Sequence, residues 1–209
     1  MAEILPRSLA LIALVFAVGA FALRWRSTQR HPLSTDRSPA RGSPGRGLIY
    51  AFTLGMAPWA KESTRRHWLA YLRGIVFHIG VFAGLAALLG SPLWDRVPAG
   101  LLRATAFAVA AGGLCGILGL LARRIDPNLR SLSTADDYAS VAVVTAFQAV
   151  TALALLNSIW LPTMYLTGAL LLLVAPLGKI RHCIYFIFSR RFFGLFLGRR
   201  GLLYPERAR

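Results

Sequence analysis

Five stretches of this chain run almost without charge for about twenty residues each, close to the length a helix needs to cross a bilayer. They cover residues 9–23, 72–89, 101–122, 138–160 and 163–186. Hydrocarbon offers no partner to backbone N–H and C=O groups, so such blocks must close their hydrogen bonds internally, as helices. Composition agrees: 15% of residues are charged and mean hydropathy is +0.56, unlike an ordinary soluble domain. The expectation is an all-α integral membrane bundle of five transmembrane helices.

Charge then orients it. The first block could be a secretory signal, but Glu3 and Arg7 precede it while Arg24, Arg26 and Arg30 follow it. A signal peptide has its cations first, so this order predicts a retained helix with its N-terminus outside. With five spans, residues 24–71, 123–137 and the tail from Lys179 share one side. Together with Arg73 they hold 21 of the 24 lysines and arginines. That asymmetry predicts an N-terminus outside and a C-terminus in the cytoplasm, as the positive-inside rule requires. It also accounts for the formal net charge of +16 without nucleic acid. The expected location is a bacterial or archaeal cytoplasmic membrane, crossed several times.

Residues 1–190 read as one membrane domain containing a flexible basic loop at 24–66, and 191–209 as a basic amphipathic tail. The loop includes "STQRHPLSTDRSPARGSPGRG", rich in Pro, Gly, Ser and Arg. An interfacial segment, "LIYAFTLGMAPW", follows it. The tail "SRRFFGLFLGRRGLLYPERAR" alternates paired arginines with aromatic and aliphatic residues, as suits a membrane surface or a docked subunit. Before the fourth span, Asp136 and Asp137 follow Thr134, a helix N-terminus signal. Cys115 and Cys183 form no CxxC and read as packing residues. The chain has no P-loop, no GxGxxG opening a helix and no Ser/His/Asp constellation. The spans contain no Asp or Glu, which weighs against a small transporter.

The histidines carry the functional signal. His31 reads as a solvated loop residue. His78, in "GIVFHIGVFAG", lies inside the second span, where an ionisable residue is functional by default; the alternative is a neutral imidazole bonded to a neighbouring helix. Gly74, Gly80 and Gly84 predict a bare helix face for a flat group or another helix. His182, in "KIRHCIYF", sits near the inner end of the fifth span. Opposite helix directions put the two at similar depth, as a bis-histidine haem would require. Arg73, Lys179 and Arg181 are then available to haem propionates. His67, eleven residues before His78, returns to nearly the same helix face. It lies in "TRRHW" and reads as an interface residue before a ligand.

At "FHIG", at "RRIDPNLRSLSTADDYASV" (123–141) and at "PLGKIRHCIYF" (176–186), the sequence resembles the gamma subunit of respiratory nitrate reductase. That five-helix, N-out cytochrome b family has relatives in complexes linked to sulfite reduction and in heterodisulfide-reductase-like modules. The third stretch is similar to the family's Pro-Phe-(Ser/Thr)-(Lys/Arg)-x-x-His pattern. The resemblance implies that His78 and His182 are the axial ligands of an inner haem. Leu88 stands where an outer-haem ligand would be expected, and residues 163–176 hold no histidine. One haem b is therefore implied.

The expected function is a membrane-anchoring b-type cytochrome subunit of a respiratory oxidoreductase, an electron-transfer part and not a stand-alone enzyme. It would pass electrons between membrane quinone and a cytoplasm-facing iron–sulfur subunit of the same complex, beside its catalytic subunit. Gln148 and Asn157, polar residues inside spans, are candidates for a quinone site or for interhelical hydrogen bonds. The alternative is a haem-free membrane anchor or assembly subunit.

Overall fold

A computed structural model describes residues 3–31, 37–60 and 62–203 of the chain. Part of the predicted basic loop (32–36 and Lys61) and the end of the predicted tail (204–209) lie outside the described residues. Among the described residues every regular element is helical: α1 (Ile4–Gln29), α2 (Pro44–Phe52), α3 (Glu62–Arg66), α4 (Trp68–Gly90), α5 (Ala99–Ile125), α6 (Pro127–Leu132), α7 (Ala135–Leu156), α8 (Leu161–Val174) and α9 (His182–Arg199). Short 3₁₀ turns occupy Leu54–Met56, Pro58–Ala60, Ser91–Arg96, Ser158–Trp160 and Lys179–Arg181.

α1, α5, α7 and α4 with its following turn are long and apolar enough to cross a membrane. A fifth span exists if α8 and α9 with their flanking turns count as one broken crossing. Here the structure departs from the sequence expectation of a continuous fifth helix over 163–186. α8 stops at Val174, and the amides of Leu177 and Gly178 both turn back to its carbonyl, each at 3.0 Å. Pro176 has no N–H to continue the helical ladder, and Gly178 follows it closely. The hydropathy of the stretch is continuous, but its backbone is not.

The chain divides into two compact units. One comprises Met1–Phe21 and Leu72–Ile180; the other comprises Ala22–Tyr71 and Arg181–Arg209. In the first unit α7 is the central helix: half of its apolar window is buried, 50% against 22–28% for the other three spans. Phe147 and Met164 are fully enclosed there, with Leu88, Val144, Tyr165 and Leu171 around them. Glycine sets how closely α4 and α5 approach. A Cβ on Gly112 would lie 2.8 Å from the Gly80 Cα and 2.6 Å from Gln148 Oε1, so no side chain fits. Gly84 packs against the Phe147 ring. The sequence left these glycines open to a flat group or to another helix; at Gly80 and Gly84 the helix has the space.

The α7 N-terminus is tied down as its acids suggested. Thr134 and Asp137 form a capping box, and Lys179 reaches Asp137 at 2.5 Å. Asp136 accepts from Ser140 Oγ at 3.1 Å and from the Lys179 amide at 3.4 Å. Arg123 donates to Ser133 Oγ, and Tyr138 donates to the Arg123 carbonyl, which closes the connection from α5 to α7.

The second unit is built on α2 and α9. Gly47 and Ala51 on α2, and Gly194 and Gly198 on α9, are spaced four apart and buried. A Cβ on Gly194 would come within 2.7 Å of the Gly47 carbonyl, and one on Gly198 within 2.7 Å of the Gly47 Cα. This is small-xxx-small packing, in which bare backbones touch over a whole turn. α9 ends on Gly201 at φ +70°, a left-handed cap that only glycine adopts without strain; the Leu202 amide returns to the Leu197 carbonyl at 3.1 Å. The Arg41 and Gly42 amides both bond the Arg199 carbonyl at 2.9 Å.

Candidate functional site

The six residues singled out by sequence are shared between the units. Arg73, His78 and Lys179 belong to the first; His67, Arg181 and His182 belong to the second.

His78 lies near the middle of α4, and its ring is exposed on the surface of the unit. Its Nδ1 is 2.7 Å from the Gly74 carbonyl. A carbonyl can only accept, so Nδ1 is the donor in this bond. Gly74, one turn before, has nothing within 4 Å of where a Cβ would stand. The Phe77 ring meets the imidazole edge-on at 5.7 Å. The ring is held by this bond on an exposed stretch of α4, beside a glycine with open space around it.

His182 is the first residue of α9 and is exposed. The sequence placed it near the inner end of a continuous fifth span; in the structure that run breaks at residues 175–178 before it. His67 is exposed between α3 and α4, where its carbonyl accepts from the Tyr71 amide at 3.0 Å, a position at a helix start. Of the expected propionate partners, Lys179 is committed to Asp137 and so fastens the turn after α8 to α7. Arg73 runs along α5, its Nε 3.9 Å from where a Cβ on Gly119 would stand. Arg181 ends the 3₁₀ turn before His182.

Gln148 and Asn157 have structural work. Gln148 is fully buried and donates from Nε2 to the Phe77 carbonyl at 3.0 Å, joining α7 to α4 beside the histidine. Asn157 Oδ1 accepts the Ile159 amide at 3.0 Å and caps the turn before α8. Thr145, Gln148 and Thr151, three apart on α7, form a buried polar row. Gln148 Oε1 and both threonine hydroxyls have no hydrogen-bond partner among the described residues. Their spacing was readable in the sequence; their burial was not. The free cysteines, Cys115 and Cys183, fall one in each unit.

One further cleft was invisible to sequence reasoning. Arg7, Ala10, Leu14, Leu88, Ser91 and Tyr165 are among the residues that line it in the first unit. Ser91 Oγ and the Tyr165 hydroxyl share a 2.8 Å hydrogen bond there, inside otherwise apolar walls. The lining residues come from α1, α4, the turn after α4 and α8, so no local motif could announce it.

No family model, curated protein or solved structure matches this chain.

Proposed function

We propose that the chain is the membrane subunit of a respiratory oxidoreductase and holds one haem b, with His78 as one axial ligand and His182 as the other. The observation that carries this reading is His78: an exposed imidazole on a membrane-length helix, held through Nδ1 to the Gly74 carbonyl, with a bare glycine one turn before it. An ionisable ring facing lipid at that position would be costly, and a ligand that covers it removes the cost. His182 and the single-haem count rest on the sequence resemblance.

When bound, the haem would supply one-electron transfer between a membrane quinone and an iron–sulfur subunit on the cytoplasmic face. The chain's own residues then have definable tasks. The Gly74 carbonyl, bonded to Nδ1, would orient the His78 ring. Phe77 restricts the ring. Arg73 and Arg181 are the cations proposed for the propionates; Lys179 is engaged with Asp137.

The visible spectrum of the dithionite-reduced, purified protein tests the reading. A sharp b-type α-band is expected, lost in both His78→Ala and His182→Ala and kept in His67→Ala. A folded wild-type protein that stays colourless after expression with ample haem supply would make the chain a haem-free anchor instead. Two haems per chain would bring in His67 or a ligand that is not histidine.

A further inference from the structure

The second unit carries sixteen of the chain's 24 lysines and arginines and three of its eight acids. Within it an open groove of about 470 Å³ runs between the end of α1 and one face of α9. Its lining is two-sided in character. Thr28, Gln29, His31 and Arg191 give it a polar side; Phe188, Phe192 and Leu195 give it an apolar floor. Arg191 is exposed and has no hydrogen bond or ion pair among the described residues, whereas the next cation along α9, Arg190, is buried and bonded to the Gly55 carbonyl.

The groove's level along α1 can be estimated. The last residue of the uncharged run is Leu23, and Thr28 stands five residues beyond it, about 7.5 Å at the helical rise. That distance is about the thickness of one headgroup layer outside the hydrocarbon. Aromatic residues mark the same level: Trp25 packs on Phe188 with ring centroids 4.5 Å apart, and Arg24 donates to the Tyr185 hydroxyl at 3.2 Å. Tryptophan and tyrosine collect where hydrocarbon meets headgroups. The carbonyl end of α1 would repel an anion, but Arg26 and Arg30 are exposed on that end and offset it.

We infer that this groove binds an anionic phospholipid, its phosphate at Arg191 and Gln29 and the upper carbons of its acyl chains against Phe188 and Phe192, the chains then turning back into the hydrocarbon. Both halves of the ligand follow from the lining. A free phosphate would use the arginine and leave the phenylalanine floor exposed to water. A neutral lipid would cover the floor and leave the guanidinium unpaired. The acidic surface of a partner protein would meet the charge but has no reason to supply alkyl chains.

Native mass spectrometry of the full chain in mild detergent tests this, with phosphatidylglycerol, phosphatidylcholine and inorganic phosphate as probes at equal concentration. The wild type should retain one phosphatidylglycerol in preference to phosphatidylcholine, and inorganic phosphate should not displace it. Arg191→Gln should lower that preference by about fivefold, the contribution of one cation near an anionic surface. Phe192→Ser should weaken both lipids alike, and Arg46→Gln, a cation of the same unit outside the groove, should change nothing. Both groove side chains are exposed, so unchanged melting should accompany the losses. Equal retention of the two lipids by the wild type, or an unchanged preference in Arg191→Gln, overturns the proposal. Displacement by phosphate would make the site a simple anion site. Arg191-dependent isolation of an acidic polypeptide in place of lipid would assign the face to a protein.

Discussion

Gln148 shows at the scale of one side chain what a membrane bundle does with polarity. Its amide nitrogen is spent on the Phe77 carbonyl, while its oxygen lies against the bare backbones of Gly80 and Gly112. An interhelical bond of this kind contributes roughly 0.6 kcal/mol, and an ionised group in its place would be disfavoured by about 3 kcal/mol. Gln148→Leu should therefore leave the melting free energy in detergent within about 1 kcal/mol of wild type, whereas Gln148→Glu should lower it clearly more at neutral pH. The reverse order would mean that the amide answers a charge or a ligand and does not merely join two helices. The residue alone left both roles open. The glycines opposite it decide for packing, because a side chain this enclosed has no access to a mobile substrate. His78 is the contrasting case: its type and position were legible, and the structure adds its bond to the Gly74 carbonyl and its exposure.

Among the elements, α2 and α9 were the least legible. The sequence presented a loop, an interfacial segment and a tail, some 140 residues apart along the chain. Gly194 and Gly198 do form a G-x-x-x-G pattern, and Gly47 and Ala51 its counterpart, but spacing alone names no partner. What joins them is contact between backbones: the Ala51 Cβ is 3.0 Å from where a Cβ on Gly194 would stand. Arg190 reinforces the unit from within, donating to the Gly55 carbonyl at 2.8 Å and lying between the Phe186 and Phe193 rings. Gly194→Ala, the smallest bulk that can be added, should lower the melting temperature of the folded chain, because its Cβ would meet the Gly47 and Leu48 backbone; unchanged melting would separate the two helices. Gly198→Leu should weaken the pairing by about 1–3 kcal/mol, the usual penalty for forcing bulk into a closed contact.

For the whole molecule the open quantity is the number of crossings, and charge and backbone pull in different directions. α8 has 14 residues, about 21 Å of helix, short of the hydrocarbon thickness of about 30 Å. With the turn Ser158–Trp160 before it and residues 175–178 after it, the segment approaches that span. If it did not cross, the eight cations from Lys179 onward would share a side with the N-terminus, against the positive-inside rule. Five crossings place the termini on opposite faces. A membrane-impermeant maleimide should label Glu3→Cys in intact cells, in a background with Cys115 and Cys183 replaced by serine, and a C-terminal green fluorescent protein should fluoresce in the cytoplasm. Both termini on one face would reduce the count to four.

Sequence by itself determined that this chain is helical and built for a membrane, because hydrocarbon leaves an apolar run of that length no other way to satisfy its backbone. It also located the cap before α7 and the one ionisable ring inside an early span, since both depend on residues close together in the chain. Only the tertiary structure decided which glycines bring helices together, where the fifth apolar run breaks and what Lys179 binds. Those outcomes turn on atoms from distant segments competing for the same few ångströms, and no local pattern records which of them fits.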